Sequence, residues 1–177
     1  MVNFGDSGTG YWRGHSTSSA FYQRIQNIPT DTNVVTIFGS FNDLGTEGGT
    51  TGADIIGDVT DDDTSTICGC INTTLDNLFT RCPSATVGVI SPTPWYNHYG
   101  ISDTKTMEYL DKLETICKIR SIPFLNLYKE SNLMPWDSTF CALYYVESDG
   151  VRATHPNTYG HQRITPMIES FLKSICY

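Results

Sequence analysis

Three short apolar runs, set between stretches of helical periodicity, constrain this chain more than any other feature. Val34-Val35-Thr36-Ile37-Phe38 is the first, Ala85 to Ile90 the second and Pro123 to Leu127 the third. A run of this kind without polar alternation is the pattern of a strand buried on both faces. Thr66 to Thr80 carries Ile67, Ile71, Leu75, Leu78 and Phe79 at helical spacing, and Met107 to Arg120 puts Leu110, Leu113, Ile116 and Cys117 on one face. Gly160 to Ile175 predicts a closing helix, interrupted early by Pro166, whereas Gly45 to Asp63, rich in Gly, Thr and Asp, reads as a long loop. Strands alternating with helices dictate an α/β fold, a parallel sheet with helices on both faces. No repeat or linker divides the 177 residues, so a single domain, 1–177, is expected.

Bulk properties exclude several functions. An apolar content of 39% argues against disorder. A net charge of −8 argues against nucleic acid and against an anionic membrane surface, because phosphate binding needs clustered Lys and Arg. No apolar run approaches a membrane span, and residues 1–20 lack the pattern of a signal peptide, so a cytoplasmic or particle-borne protein is expected. Cys68, Cys70, Cys82, Cys117, Cys141 and Cys176 lack the spacing of a zinc or dithiol site. Several sit inside apolar patterns as small core residues, which fits a reducing compartment, although their even number leaves disulfides open. No His/Cys/Asp/Glu set has metal spacing and no glycine-rich loop cradles phosphate, so no metal or cofactor is expected.

Ligands of open parallel sheets sit beyond the carboxyl ends of the strands. Two segments fall there: Gly39-Ser40-Phe41-Asn42-Asp43 after the first run, and Ser91-Pro92-Thr93-Pro94-Trp95 after the second. A third segment rich in chemistry, His155-Pro156-Asn157 with Gly160-His161 behind it, opens the last helix, and Gly5-Asp6-Ser7-Gly8 stands near the start. Asn42 either donates its amide to a substrate oxygen or forms an Asx-turn with Asp43. His155 is a candidate general base, with Pro156 fixing the backbone beside it and Gly160 letting the chain turn into the helix, while His161 is read as structural. Pro94-Trp95-Tyr96-Asn97-His98-Tyr99 either lines a cleft, with Trp95 against a sugar face, or packs its own loop. Pro135-Trp136-Asp137 is read as loop packing.

These segments together resemble the SGNH hydrolases, or GDSL esterase/lipase family, whose blocks read G-D-S, a lone Gly, G-x-N-D and D-x-x-H-P. The resemblance runs from about Asn3 to Ile175. It implies a flavodoxin-like three-layer α/β/α sandwich and hydrolysis of small carboxylic esters through an acyl-enzyme, with Asn42 in the oxyanion hole and His155 as base. Arg152 stands where the family's acid falls, three residues before the histidine. Asp149, within Asp149-Gly150-Val151, takes that role if three residues are inserted, and is otherwise only a turn residue.

The nucleophile has two readings. If Gly5-Asp6-Ser7 is the first block, Met1 to Phe4 is a central strand and Ser7 the catalytic serine. If Asn3 to Thr9 is instead the second block, of the form N-x-G-x-S-G, Met1 to Phe4 is an outer strand and Gly5 gives an oxyanion N–H. The serine then lies upstream of an N-terminally truncated domain. Only 34 positions separate Gly5 from Gly39, which leans toward the second reading. A raw sheet edge in that case favours a homodimer. The Gly39 to Leu44 and Pro92 to Trp95 segments most resemble phage and prophage SGNH domains, which implies an acylated polysaccharide as substrate. A non-catalytic carbohydrate-binding or structural module of the same fold is the rival reading.

Overall fold

The computed structural model describes residues 2–14, 19–96, 101–146 and 154–176. A segment without regular structure leads into the short helix α1 (Phe21–Arg24) and a 3-10 turn, Ile25–Asn27. Strand β1 (Val34–Phe38) ends in a second 3-10 turn, Phe41–Leu44. The long loop predicted over Gly45 to Asp63 holds a small hairpin, β2 (Thr46–Glu47) and β3 (Thr50–Thr51), and a third turn, Gly52–Asp54. Helix α2 (Ile67–Arg81), strand β4 (Thr86–Ile90), helix α3 (Asp103–Ile119) and strand β5 (Phe124–Leu125) follow. Three helices close the chain: α4 (Leu127–Glu130), α5 (Ser138–Tyr144) and α6 (Thr158–Ile175).

The three principal strands form one parallel sheet in the order β1-β4-β5. Helices flank it on both sides, the three-layer α/β arrangement that the alternating pattern implies. Residue alternation along β4 sorts its side chains between two cores. Val87 and Val89 join Ile37 of β1 and the buried faces of α2 and α3. Ile90 joins Leu127, Leu133, Tyr145 and Ile164 on the other side. Gly88 also faces that second side, where a Cβ would stand 2.7 Å from Ile175 and 3.0 Å from Phe171. The missing side chain lets α6 settle directly on β4.

Helices α2 and α3 each start at a side-chain cap. Thr66 Oγ1 accepts the N–H of Gly69 at 3.1 Å to open α2, and Ser102 accepts that of Lys105 at 3.3 Å to open α3. Four of the six cysteines are buried, all six are free thiols, and burial pushes Cys68, Cys70 and Cys117 up to about 12. They behave as small core residues, not reactive ones.

Four expectations need correction. Strand β1 is buried on one face only: Ile37 is in the core, but Thr36 is exposed and Phe38 is 49% exposed. The reason is that α6 covers β4 and not the neighbouring β1. The third strand is shorter than Pro123 to Leu127, because Asn126 stops it by accepting the Lys129 N–H at 3.1 Å and capping α4. Pro166 lies inside a helix that continues through it. No strand forms over 2–4; Val2 and Phe4 are exposed, and Asn3 turns back to bond Gly5. No helix among the described residues is long and apolar enough to cross a membrane.

Candidate functional site

The Gly39–Asp43 segment leaves the carboxyl end of β1 under tight control. Gly39 has φ +132°, a conformation that side chains disfavour, and its N–H bonds the Ile90 carbonyl at 3.3 Å. Ser40 caps the 3-10 turn that follows, its Oγ accepting the Asn42 N–H at 3.1 Å and donating to the Thr9 carbonyl at 2.9 Å. The same carbonyl accepts the Asn42 side-chain amide, Nδ2 to O, at 3.1 Å. An Asn amide carries two donor hydrogens, and this bond uses one while fixing the plane of the other.

Asp43 does not behave as a surface turn residue. It is fully buried, and its carboxylate accepts the N–H groups of Tyr11 at 3.0 Å, Trp12 at 2.8 Å and Arg13 at 3.1 Å. The Tyr109 hydroxyl donates to it at 3.4 Å and accepts the Ser40 N–H at 3.3 Å. Burial pushes the Asp43 carboxyl up to about 6, against the opposing pull of these bonds. Gly10 is glycine for the same reason, since a Cβ there would meet Asp43 Oδ1 at 2.3 Å. Sequence reading missed this anchor because backbone N–H donors carry no residue signature.

His155 is held from the opposite direction. Its carbonyl accepts the Val146 N–H at 2.9 Å, and Pro156 forms an antiparallel bridge with Tyr145. Asn157, passed over by the motif reading except as a neighbour, ties the region together. Its Oδ1 caps α6 by accepting the N–H groups of Tyr159 and Gly160, while Nδ2 donates to the carbonyls of Leu143 and Tyr145, each at 3.0 Å. Gly160 serves close approach more than turning: a Cβ would stand 2.4 Å from the Tyr144 carbonyl oxygen. His161 lies on α6 and is exposed.

The two segments meet through Phe41. Its ring lies edge to face with the His155 ring at 6.0 Å and 5.5 Å from the Trp95 ring. Trp95 packs in turn against Tyr128 at 4.9 Å and is 7% exposed. It therefore stands in the wall behind the site, the packing alternative of its two readings. Tyr145 fixes that wall by donating its hydroxyl to the Pro94 carbonyl at 2.8 Å. The exposed His155 and the turn that carries Asn42 are thus brought together through the Phe41 ring.

The N-terminal residues fit less simply. Ser7 is exposed, two residues before the Thr9 that contacts Asn42. The Gly5 N–H, expected to face an oxyanion, donates to Asn3 Oδ1 at 2.8 Å. Asp149, Asn97, His98 and Tyr99 lie outside the described residues. Two surface grooves, one of about 620 Å³ beside α1 and α2 and one of about 490 Å³ between β5 and α6, include neither Asn42 nor His155.

No family model matches the sequence, and no curated protein does. Solved structures do. A protein from Lactobacillus plantarum is 25% identical, with a TM-score of 0.75, over 97% of this chain and 79% of its own. Proteins described as GDSL-like lipases from Bacteroides ovatus and Bacteroides uniformis are 17% and 20% identical. Both give a TM-score of 0.58, over 94% and 95% of this chain and 68% and 67% of theirs. At these identities the likeness concerns architecture, and it agrees with the motif reading: the chain has the α/β sandwich fold of GDSL-like lipases.

Proposed function

We propose that this domain is an ester hydrolase of the SGNH kind, acting on small acyl esters, with acetyl groups on a polysaccharide as the favoured class. The observation that carries this reading is the meeting of His155 and the Asn42 segment, 113 positions apart in sequence, across the Phe41 ring. In the proposed reaction a serine hydroxyl attacks the ester carbonyl as His155 takes its proton. The Asn42 amide donates to the oxygen that gains negative charge. His155 then returns the proton to the departing alcohol, and water, activated by the same imidazole, releases the acid from the acyl-enzyme. Asp149 is assigned to hold the imidazole in the productive tautomer.

Ser7 is the serine this chain offers for that role. A serine-directed fluorophosphonate tests it, together with hydrolysis of p-nitrophenyl acetate. Labelling that maps to Ser7 and disappears in Ser7→Ala supports the enzyme.

A second reading, a binding module or a domain whose serine comes from elsewhere, is favoured by one observation: 2–4 form no strand and Ser7 sits on an exposed turn. Folded protein that neither labels nor turns over the ester supports it. An acylated polysaccharide as substrate is tested by release of acetate from acetylated polysaccharide. A homodimer through the β1 edge is tested by sedimentation.

A further inference from the structure

The hydrogen bonds beneath Asn42 close into a ring that the proposed reaction does not itself require. Resting on the reading of Asn42 as the oxyanion donor, we propose that Asp43 and Tyr109 are positioning residues for the Asn42 amide. They hold Thr9 and Ser40 as the fixed frame against which that amide is set.

The ring can be traced atom by atom. Asn42 Nδ2 bonds the Thr9 carbonyl at 3.1 Å. Two residues on, the Tyr11 N–H bonds Asp43 Oδ2 at 3.0 Å, and Trp12 and Arg13 bond Oδ1. The Tyr109 hydroxyl donates to that same Oδ2 and accepts from the Ser40 N–H. Ser40 Oγ returns to both the Thr9 carbonyl and the Asn42 N–H. Three stretches of chain, 9–13, 40–43 and residue 109 of α3, are thereby set at one geometry.

Each member is matched to its place by chemistry. A carboxylate offers about four acceptor sites and no donor, so it alone suits three N–H groups and a hydroxyl. An amide at 43 would turn an NH₂ toward backbone N–H groups. Tyr109 must donate on one side and accept on the other, which a hydroxyl does and a phenyl ring cannot. Asp43, Ser40 and Tyr109 are each buried, so water does not replace a lost bond cheaply. The alternative is a plain anchor that keeps the N-terminal segment attached. An anchor affects stability without moving the Asn42 amide.

The test uses the full chain with Tyr109→Phe and Asp43→Asn, labelled with ¹⁵N. The Asn42 side-chain resonances are assigned by their loss in Asn42→Ala. In the wild-type protein the two Nδ2 protons should be well separated, because one is bonded to Thr9. In either variant they should converge and exchange with solvent faster by roughly tenfold or more. If p-nitrophenyl acetate is hydrolysed, kcat should fall about 10- to 100-fold, the scale of a 1 Å misplacement, with KM unchanged. In an Asn42→Ala background neither substitution should lower kcat further. A wild-type chain without esterase activity would end the proposed function but not this one, which the resonances still decide. Unmoved Asn42 resonances in folded Tyr109→Phe protein overturn the positioning role, even if its melting temperature falls. Should Asp43→Asn not fold, Tyr109→Phe alone carries the comparison.

Discussion

The ring of His155 meets the ring of Phe41 edge to face, 6.0 Å between centroids, joining the turn after β1 to the segment that opens α6. An edge-to-face pair fixes orientation as well as distance. Phe41→Leu should therefore shift the His155 imidazole proton resonances, because the neighbouring ring current is lost, while the fold is retained. Unchanged imidazole resonances would place His155 independently of Phe41.

Asn42→Ala bears most directly on the proposed reaction. Loss of one oxyanion donor lowers kcat by roughly 10²–10³. Steady-state kinetics on a short p-nitrophenyl ester checks this, and an unaltered kcat in folded protein removes Asn42 from the mechanism.

Trp95 and Tyr96 are adjacent in sequence but differ in burial, at 7% and 47% exposed. Trp95→Ala should cost about 3–5 kcal/mol, as for a large core aromatic. Tyr96→Ala should stay within about 0.5 kcal/mol. Urea unfolding of both variants measures the contrast, and equal effects would mean that the Trp95 ring is not core.

Gly160→Ala introduces a methyl group where the Tyr144 carbonyl oxygen stands at 2.4 Å. Helix propensity alone favours alanine by about 1 kcal/mol. Overpacking against backbone should reverse that sign and destabilise by roughly 1–3 kcal/mol. A stabilised variant in thermal melts would refute the close approach of α5 and α6.

Asp43 gives a pH signature of defined sign. Its carboxyl is raised by burial from 3.8 to about 6, so the folded protein binds that proton more tightly than the unfolded chain. The contribution to stability is fully present below about pH 4 and is lost as pH rises through about 6, on the order of 3 kcal/mol. Glu108, lowered by bonds to Lys105 and Lys112, and Glu114, lowered by Lys118, act in the opposite sense. The informative quantity is thus the stability of the wild type minus that of Asp43→Asn. It should fall between pH 4 and pH 7, and a flat difference would show that the N–H donors outweigh burial.

The architecture was legible wherever a residue pattern alone determines the outcome. The apolar run of β4 and the helical spacing on α2 and α3 predict elements that the structure contains within a few residues. What was not legible depends on where distant elements land. Nothing in Val34 to Phe38 says that α6 will cover β4 and leave Thr36 and Phe38 in water. Asp43 reads as a turn former because its partners are main-chain groups thirty residues earlier. Gly10 carried the only residue-level hint of that anchor, and it is legible as such only once Asp43 is known to lie against it. In the site, the pairing of the Asn42 and His155 segments followed from the resemblance to the SGNH blocks, whereas Asn157 and Tyr109 act through bonds that no motif encodes.

The half-covered state of β1 also sets the order in which the molecule comes apart. A strand with water on one face has fewer packed neighbours to lose than β4, which is walled on both sides, so β1 opens more cheaply than β4. The turn bearing Asn42 hangs from that strand. On warming, whatever capability the Asn42 turn supplies should therefore fade at temperatures where far-ultraviolet circular dichroism still records intact α2 and α3. Loss of capability and loss of fold become two separate clocks, the first running faster.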